Sequence, residues 1–145
     1  MDRKRGLWIL FAVVIAAALF ASLLAGGGGT EPGAVPVQAR TGWSSAVPAV
    51  SVYTVPTGYR LVIEFVSAIN TVDFQDAMIT TTVGGVIVDH YLSVQPQASP
   101  GEPGVVSQAT MLHADPGSTV RFLGHAGAGG AGITVISGYL VPVSP

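Results

Sequence analysis

The stretch "GYRLVIEFVSAIN", Gly58 to Asn70, decides the fold class of this chain. From Arg60 to Ile69 it alternates, with Leu61, Ile63, Phe65 and Ile69 on one face and Arg60 and Glu64 on the other. Side chains that alternate at period two mark a half-buried β-strand, because successive Cβ atoms of an extended chain point to opposite faces. Val62 and Val66 fall on the polar side, which predicts that this second face is also partly covered.

The segments on either side repeat the pattern between turn residues. Ala49–Val55 predicts a strand ending at Val55-Pro56-Thr57-Gly58, where Pro in second place and Gly in fourth fit a type I turn. Ala77–Val83 and Val86–Val94 flank Gly84-Gly85, a strong hairpin signal because type I′ turns need positive φ at both central residues. "QPQASPGEPG", Gln95 to Gly104, has three prolines and predicts a loop. Val105–His113 reads as a strand, Asp115-Pro116-Gly117-Ser118 as a type II turn, and Thr119–Gly124 and Ile133–Val141 as the last two strands. About seven strands at regular spacing, with no helix among them, predict an all-β antiparallel sandwich or jelly roll.

The chain has 145 residues, enough for one such domain. It opens with a basic head, Arg3-Lys4-Arg5, before an unbroken apolar run from Leu7 to Ala25. Residues 1–25 therefore read as a cleaved signal peptide or a retained membrane anchor, a hydrophobic helix in either case. The positive-inside rule keeps the head in the cytoplasm and predicts that the remainder is exported: secreted, periplasmic, or anchored in the cytoplasmic membrane with the C-terminal domain outside. Residues 26–42 are rich in Gly and Pro and predict a flexible linker, so the sandwich domain is expected over 43–145. There is no Cys, so no disulfide reinforces the domain and its core must suffice.

Charge excludes some functions. From Arg40 onward the chain has three arginines, Arg40, Arg60 and Arg121, against six acids: Glu64, Asp73, Asp76, Asp89, Glu102 and Asp115, a net charge of −3. That is no basic footprint for nucleic acid or an anionic membrane. So sparse a surface is either covered by another chain or built of neutral polar residues.

Each sign of chemistry meets a structural alternative. Gly127, Gly129 and Gly132 spell G-x-G-x-x-G, but a dinucleotide site needs a helix after it and an acid about 20 residues on. A strand-like "ITVISGYLV" follows instead, which predicts a hairpin loop. Asp89-His90 resembles a catalytic pair, yet neighbours on a strand point apart. His113 and His125 could share a metal with Asp115. If the Asp115 turn closes a hairpin, however, the two histidines stand about 16 Å apart, too far for one ion. Asn70, Asp73 and Asp76 are oxygen ligands in an expected loop, short of the six to eight that calcium takes. Tyr53, Tyr59, Tyr91, Tyr139 and Trp43 could stack sugars or simply pack. No nucleophile elbow is present.

Taken as a set, "YTVPTGYRLVIEFVSA", "HADPGSTVRF" and "ITVISGYLV" resemble a group of small exported bacterial β-sandwich proteins that carry a leader and no assigned activity. The resemblance implies a fold and an exported location. Ser137-Gly138-Tyr139-Leu140-Val141 and Gly117-Ser118-Thr119-Val120 more faintly resemble elements of complement C1q and tumour-necrosis-factor-like jelly rolls, which implies packing as trimers. The expected function is a non-catalytic interaction or structural module of the cell envelope, with no cofactor and no metal. Its expected partner is a second copy or another envelope protein, met through an apolar sheet face, with membrane contact only through residues 7–25 if the leader is retained. The alternative is a carbohydrate- or Ca²⁺-dependent ligand-binding module.

Overall fold

A computed structural model describes residues 33–44, 46–72, 74–95, 99, 101–126 and 130–143. The leader expected over 1–25, the linker up to residue 32, and Asp73, Gly127 and Gly129 lie outside the described residues. The described chain is all β, in nine strands: β1 Val35–Ser44, β2 Ala49–Thr54, β3 Tyr59–Asn70, β4 Phe74–Val83, β5 Val86–Tyr91, β6 Val94–Gln95, β7 Gly104–Ala114, β8 Thr119–Ala126 and β9 Ala131–Pro142. They form two antiparallel sheets, a five-stranded one ordered β1-β9-β3-β7-β6 and a four-stranded one ordered β2-β8-β4-β5. With the two-residue β6 set aside, the outermost strands in sequence pair first with last and inward in turn: β1 with β9, β2 with β8, β3 with β7, β4 with β5. That nesting is a long hairpin rolled up on itself, the jelly roll.

The core lies between the sheets. Leu61, Ile63, Val66, Val106 and Ile136 from the larger sheet meet Ile79, Val120 and Phe122 from the smaller, all nearly inaccessible to water. At one end the ring of Trp43 packs 5.5 Å from Phe74 and 5.7 Å from Phe122, both tilted. Each such aromatic pair contributes about 0.5–1.5 kcal/mol beyond the area it buries.

Four expectations are corrected. The stretch 35–42 is strand rather than linker, so the domain begins near Gly33. Val37, Ala39 and Trp43 of β1 pack against the core, and that alternation outweighs the Gly and Pro around it. Second, the register of β3 shifts between Ile63 and Phe65, a β-bulge that reverses the side-chain phase. Val66 and Ala68 therefore turn into the core, while Ile69 is left 48% exposed. Thr110 Oγ1 donates to the Ile63 carbonyl at the bulge, at 2.8 Å. Third, the run expected over Val86–Val94 divides, because the chain leaves the smaller sheet after Tyr91 and enters the larger as β6. Fourth, the turn after β2 spans Pro56 to Tyr59 rather than Val55 to Gly58, with the Tyr59 amide donating to the Pro56 carbonyl. Gly58 stands third in it at φ 82°, as a type II turn requires.

The two other turns form as expected. Gly84 and Gly85 have φ of 60° and 76° between paired Val83 and Val86. Gly117 stands at φ 73° in a turn closed from the Ser118 amide to the Asp115 carbonyl. That second turn is not a hairpin, however: it carries the chain from β7 in one sheet to β8 in the other.

Candidate functional site

The one described glycine of the G-x-G-x-x-G motif, its third, serves packing. Gly132 lies in β9, which continues as strand to Pro142 where a dinucleotide site would need a helix. A Cβ on Gly132 would stand 2.4 Å from the Ile69 carbonyl oxygen and 2.5 Å from the Trp43 ring. The glycine makes room for the tryptophan.

The polar candidates separate. Asp89 and His90 do point apart: Thr80 Oγ1 donates to Asp89 Oδ1 at 2.7 Å on the outer face, while His90 Nε2 lies 3.0 Å from Thr81 Oγ1, whose residue is buried. His113 is on β7 of the larger sheet, opposite Val62, and His125 on β8 of the smaller, so the hairpin geometry expected for the two does not exist. Asp115 does not partner His113. Its Oδ2 accepts the Gly85 amide at 3.1 Å and its own amide donates to the Thr82 carbonyl at 2.8 Å, which ties the β4–β5 hairpin to the turn between the sheets.

Of the three oxygen candidates, Asp73 lies outside the described residues, and the other two have different surroundings. Asn70 is buried at the end of β3, whereas Asp76 is half-exposed on β4 and sits 2.5 Å from His125 Nδ1. This pair was not anticipated, because its members are 49 residues apart and meet only through the β4–β8 register. A carboxylate can orient an imidazole for proton transfer, but a hydrolase also needs a nucleophile within reach. No hydroxyl bonds to His125 among the described residues. No group of three or more His, Asp or Glu is placed to hold a metal ion among them either.

The aromatic residues do not form one platform. Trp43 is core, Tyr53 and Tyr59 pack against it, Tyr139 is half-buried on the larger sheet, and Tyr91 is exposed on β5 of the smaller.

What the bulge does assemble is an apolar outer face on the larger sheet. Ile133, Ile69 and Val105 stand side by side across β9, β3 and β7. Farther along the same face Val62 lies between Tyr139 and His113, and it is buried although it points away from the core. Between these rows is an open depression of about 420 Å³ lined by Arg40, Ser67, Ile69, Val105, Ile133 and Val135. A second, of about 300 Å³, shares Ile69 and Ile133 and runs past Pro103. Such a surface can exclude water against a flat apolar partner; it offers little to orient a polar substrate. No protein-family model matches this chain, and no curated protein is found to be similar to it.

Proposed function

We propose that this chain is an exported, non-catalytic β-sandwich module of the bacterial cell envelope that works by associating with itself through the outer face of the larger sheet. The observation that carries the reading is the apolar row Ile133–Ile69–Val105, with Ile69 48% exposed at its centre. The basic head and apolar run ahead of the domain support export. The alternative, a glycan- or calcium-dependent module, draws no support from the described residues, since the tyrosines are scattered and Asp76 is engaged by His125.

The strand pairings and core of the described residues lie within 33–143, so the domain can be studied as that segment. Sedimentation of the domain is expected to show concentration-dependent association. Ile69→Asp is expected to weaken it at least about tenfold with an unchanged melting temperature, since tenfold is only about 1.4 kcal/mol of contact. A domain that stays monomeric at millimolar concentration would overturn the proposal.

A further inference from the structure

The sandwich has four edge strands, β1 and β6 in the larger sheet and β2 and β5 in the smaller. An edge exposes a row of unpaired N–H and C=O groups, and proteins blunt it with proline, charge, bulges or brevity. Three of these edges are blunted. β1 carries Pro36 and Arg40; β2 is bulged between Ser51 and Tyr53 and bounded by Pro48 and Pro56; β6 is two residues long and followed by Pro96. β5, "VIVDHY", has no proline and no bulge: it is six residues long and pairs with β4 without a register shift. Val86, Ile87 and Tyr91 on it are 62%, 70% and 75% exposed. Its one carboxylate, Asp89, is drawn back toward its own sheet by Thr80.

We infer that β5 is an assembly edge, and that it pairs antiparallel with β5 of a second copy to join two four-stranded sheets into one of eight. The strand is self-complementary in one register. A two-fold axis normal to the sheet keeps the outer faces of both copies on the same side, so a residue can oppose only one of its own parity. An axis at Asp89 sets two carboxylates face to face, which is destabilising. An axis at Ile87 leaves both Tyr91 side chains beyond the paired region. One at His90 sets Ile87 and Val86 opposite positions 93 and 94 of the second copy, past Tyr91 where the chain leaves the smaller sheet, so both stay uncovered. An axis at Val88 sets Val88 against Val88, Val86 against His90 and Ile87 against Asp89. It also brings Tyr91 over the partner's Gly85 position and beside the partner's Ile87, where the ring meets no opposing side chain. All three exposed apolar residues are then covered. This contact uses a different surface from the sheet face proposed above and does not depend on it.

The chain has no cysteine, so single cysteines report the contact directly. In the 33–143 domain, Val88→Cys is expected to give a cross-linked dimer with a short bismaleimide. Val47→Cys, on an exposed loop position, serves as the control for random encounter. Adding Ile87→Lys is expected to lower the Val88→Cys yield at least about tenfold, as an edge lysine does in natural sheets. Adding Ile69→Asp is expected to leave that yield unchanged. Tyr91→Lys repeats the test should Ile87→Lys fail to fold. A Val88→Cys yield no higher than that of Val47→Cys overturns the pairing, and so does a yield indifferent to both lysines. Loss of the cross-link in the Ile69→Asp variant would assign the contact to the sheet face and also overturn it.

Discussion

The two sheets treat their solvent faces differently. Across the smaller sheet, polar groups answer one another strand to strand: Ser51, Arg121, Thr80 and Asp89 stand in one row, with Thr80 bonded to Asp89, and Asp76 faces His125 in another. Across the larger sheet the corresponding rows are Ile133–Ile69–Val105 and Tyr139–Val62–His113, and Val62 is buried on the side away from the core. Both faces mix polar and apolar rows, the smaller sheet also carrying Ala49–Leu123–Met78–Tyr91, but the paired carboxylates Asp89 and Asp76 belong to the smaller sheet alone. The exposure of Ile69 on the larger sheet has a local cause: the bulge in β3 moves Val66 inward and leaves Ile69 outside. The change of phase between Ile63 and Phe65, where β3 has one residue more than β9 and β7 one more than β3, is what brings Ile69 to the outer face.

The contrast can be broken most severely at Gly138. It sits against the β3 bulge, and a Cβ there would stand 1.9 Å from the Val62 carbonyl oxygen, a backbone atom that cannot rotate away. Gly138→Ala is expected to destabilise the domain by at least about 3 kcal/mol, read from the urea midpoint, because β9 must part from β3 to admit it. Asp115→Ala is next. It removes the acceptor of the Gly85 amide and is expected to cost about 1 kcal/mol, with Asp115→Asn recovering most of it since the amide oxygen can still accept. The smallest effect sharpens the comparison instead. Asp76→Asn on the smaller sheet is expected to lower stability by less than about 1 kcal/mol, because both partners are half in water. A loss above about 2 kcal/mol would mean that the pair does more than join its two side chains.

The turns were the most legible part of the chain, since Gly84, Gly85 and Gly117 each stand where positive φ is needed and local chemistry decides it. Strand existence was legible too. Facing was not: alternation counted along Arg60–Ile69 assumes an unbroken ladder, and whether a bulge interrupts it depends on β7 and β9, which are distant in sequence. The first strand was hidden for a related reason. Val35 to Ser44 contains Pro36 and Gly42, which are poor for a central strand but harmless at a sheet edge. The Asp76–His125 pair needed the register of β4 against β8, and no short-range spacing encodes that.

The position of β1 has a consequence for the order of folding. Within the sheets β1 has one neighbour, β9, which is the last in sequence of the described strands. The first strand therefore lacks its hydrogen-bonding neighbour until β9 has been made, although Phe74 and Phe122, the ring partners of Trp43, precede β9 in the chain. Contacts between segments so distant in sequence form late and slow the closure of a β fold. A chain cut short before Ala131 would still possess every pairing of the four-stranded sheet, while β1 and β3 would both lose the strand that joins them. The four-stranded sheet is complete once β8 has been made, only a short stretch ahead of β9, and β9 is the strand that closes the larger sheet.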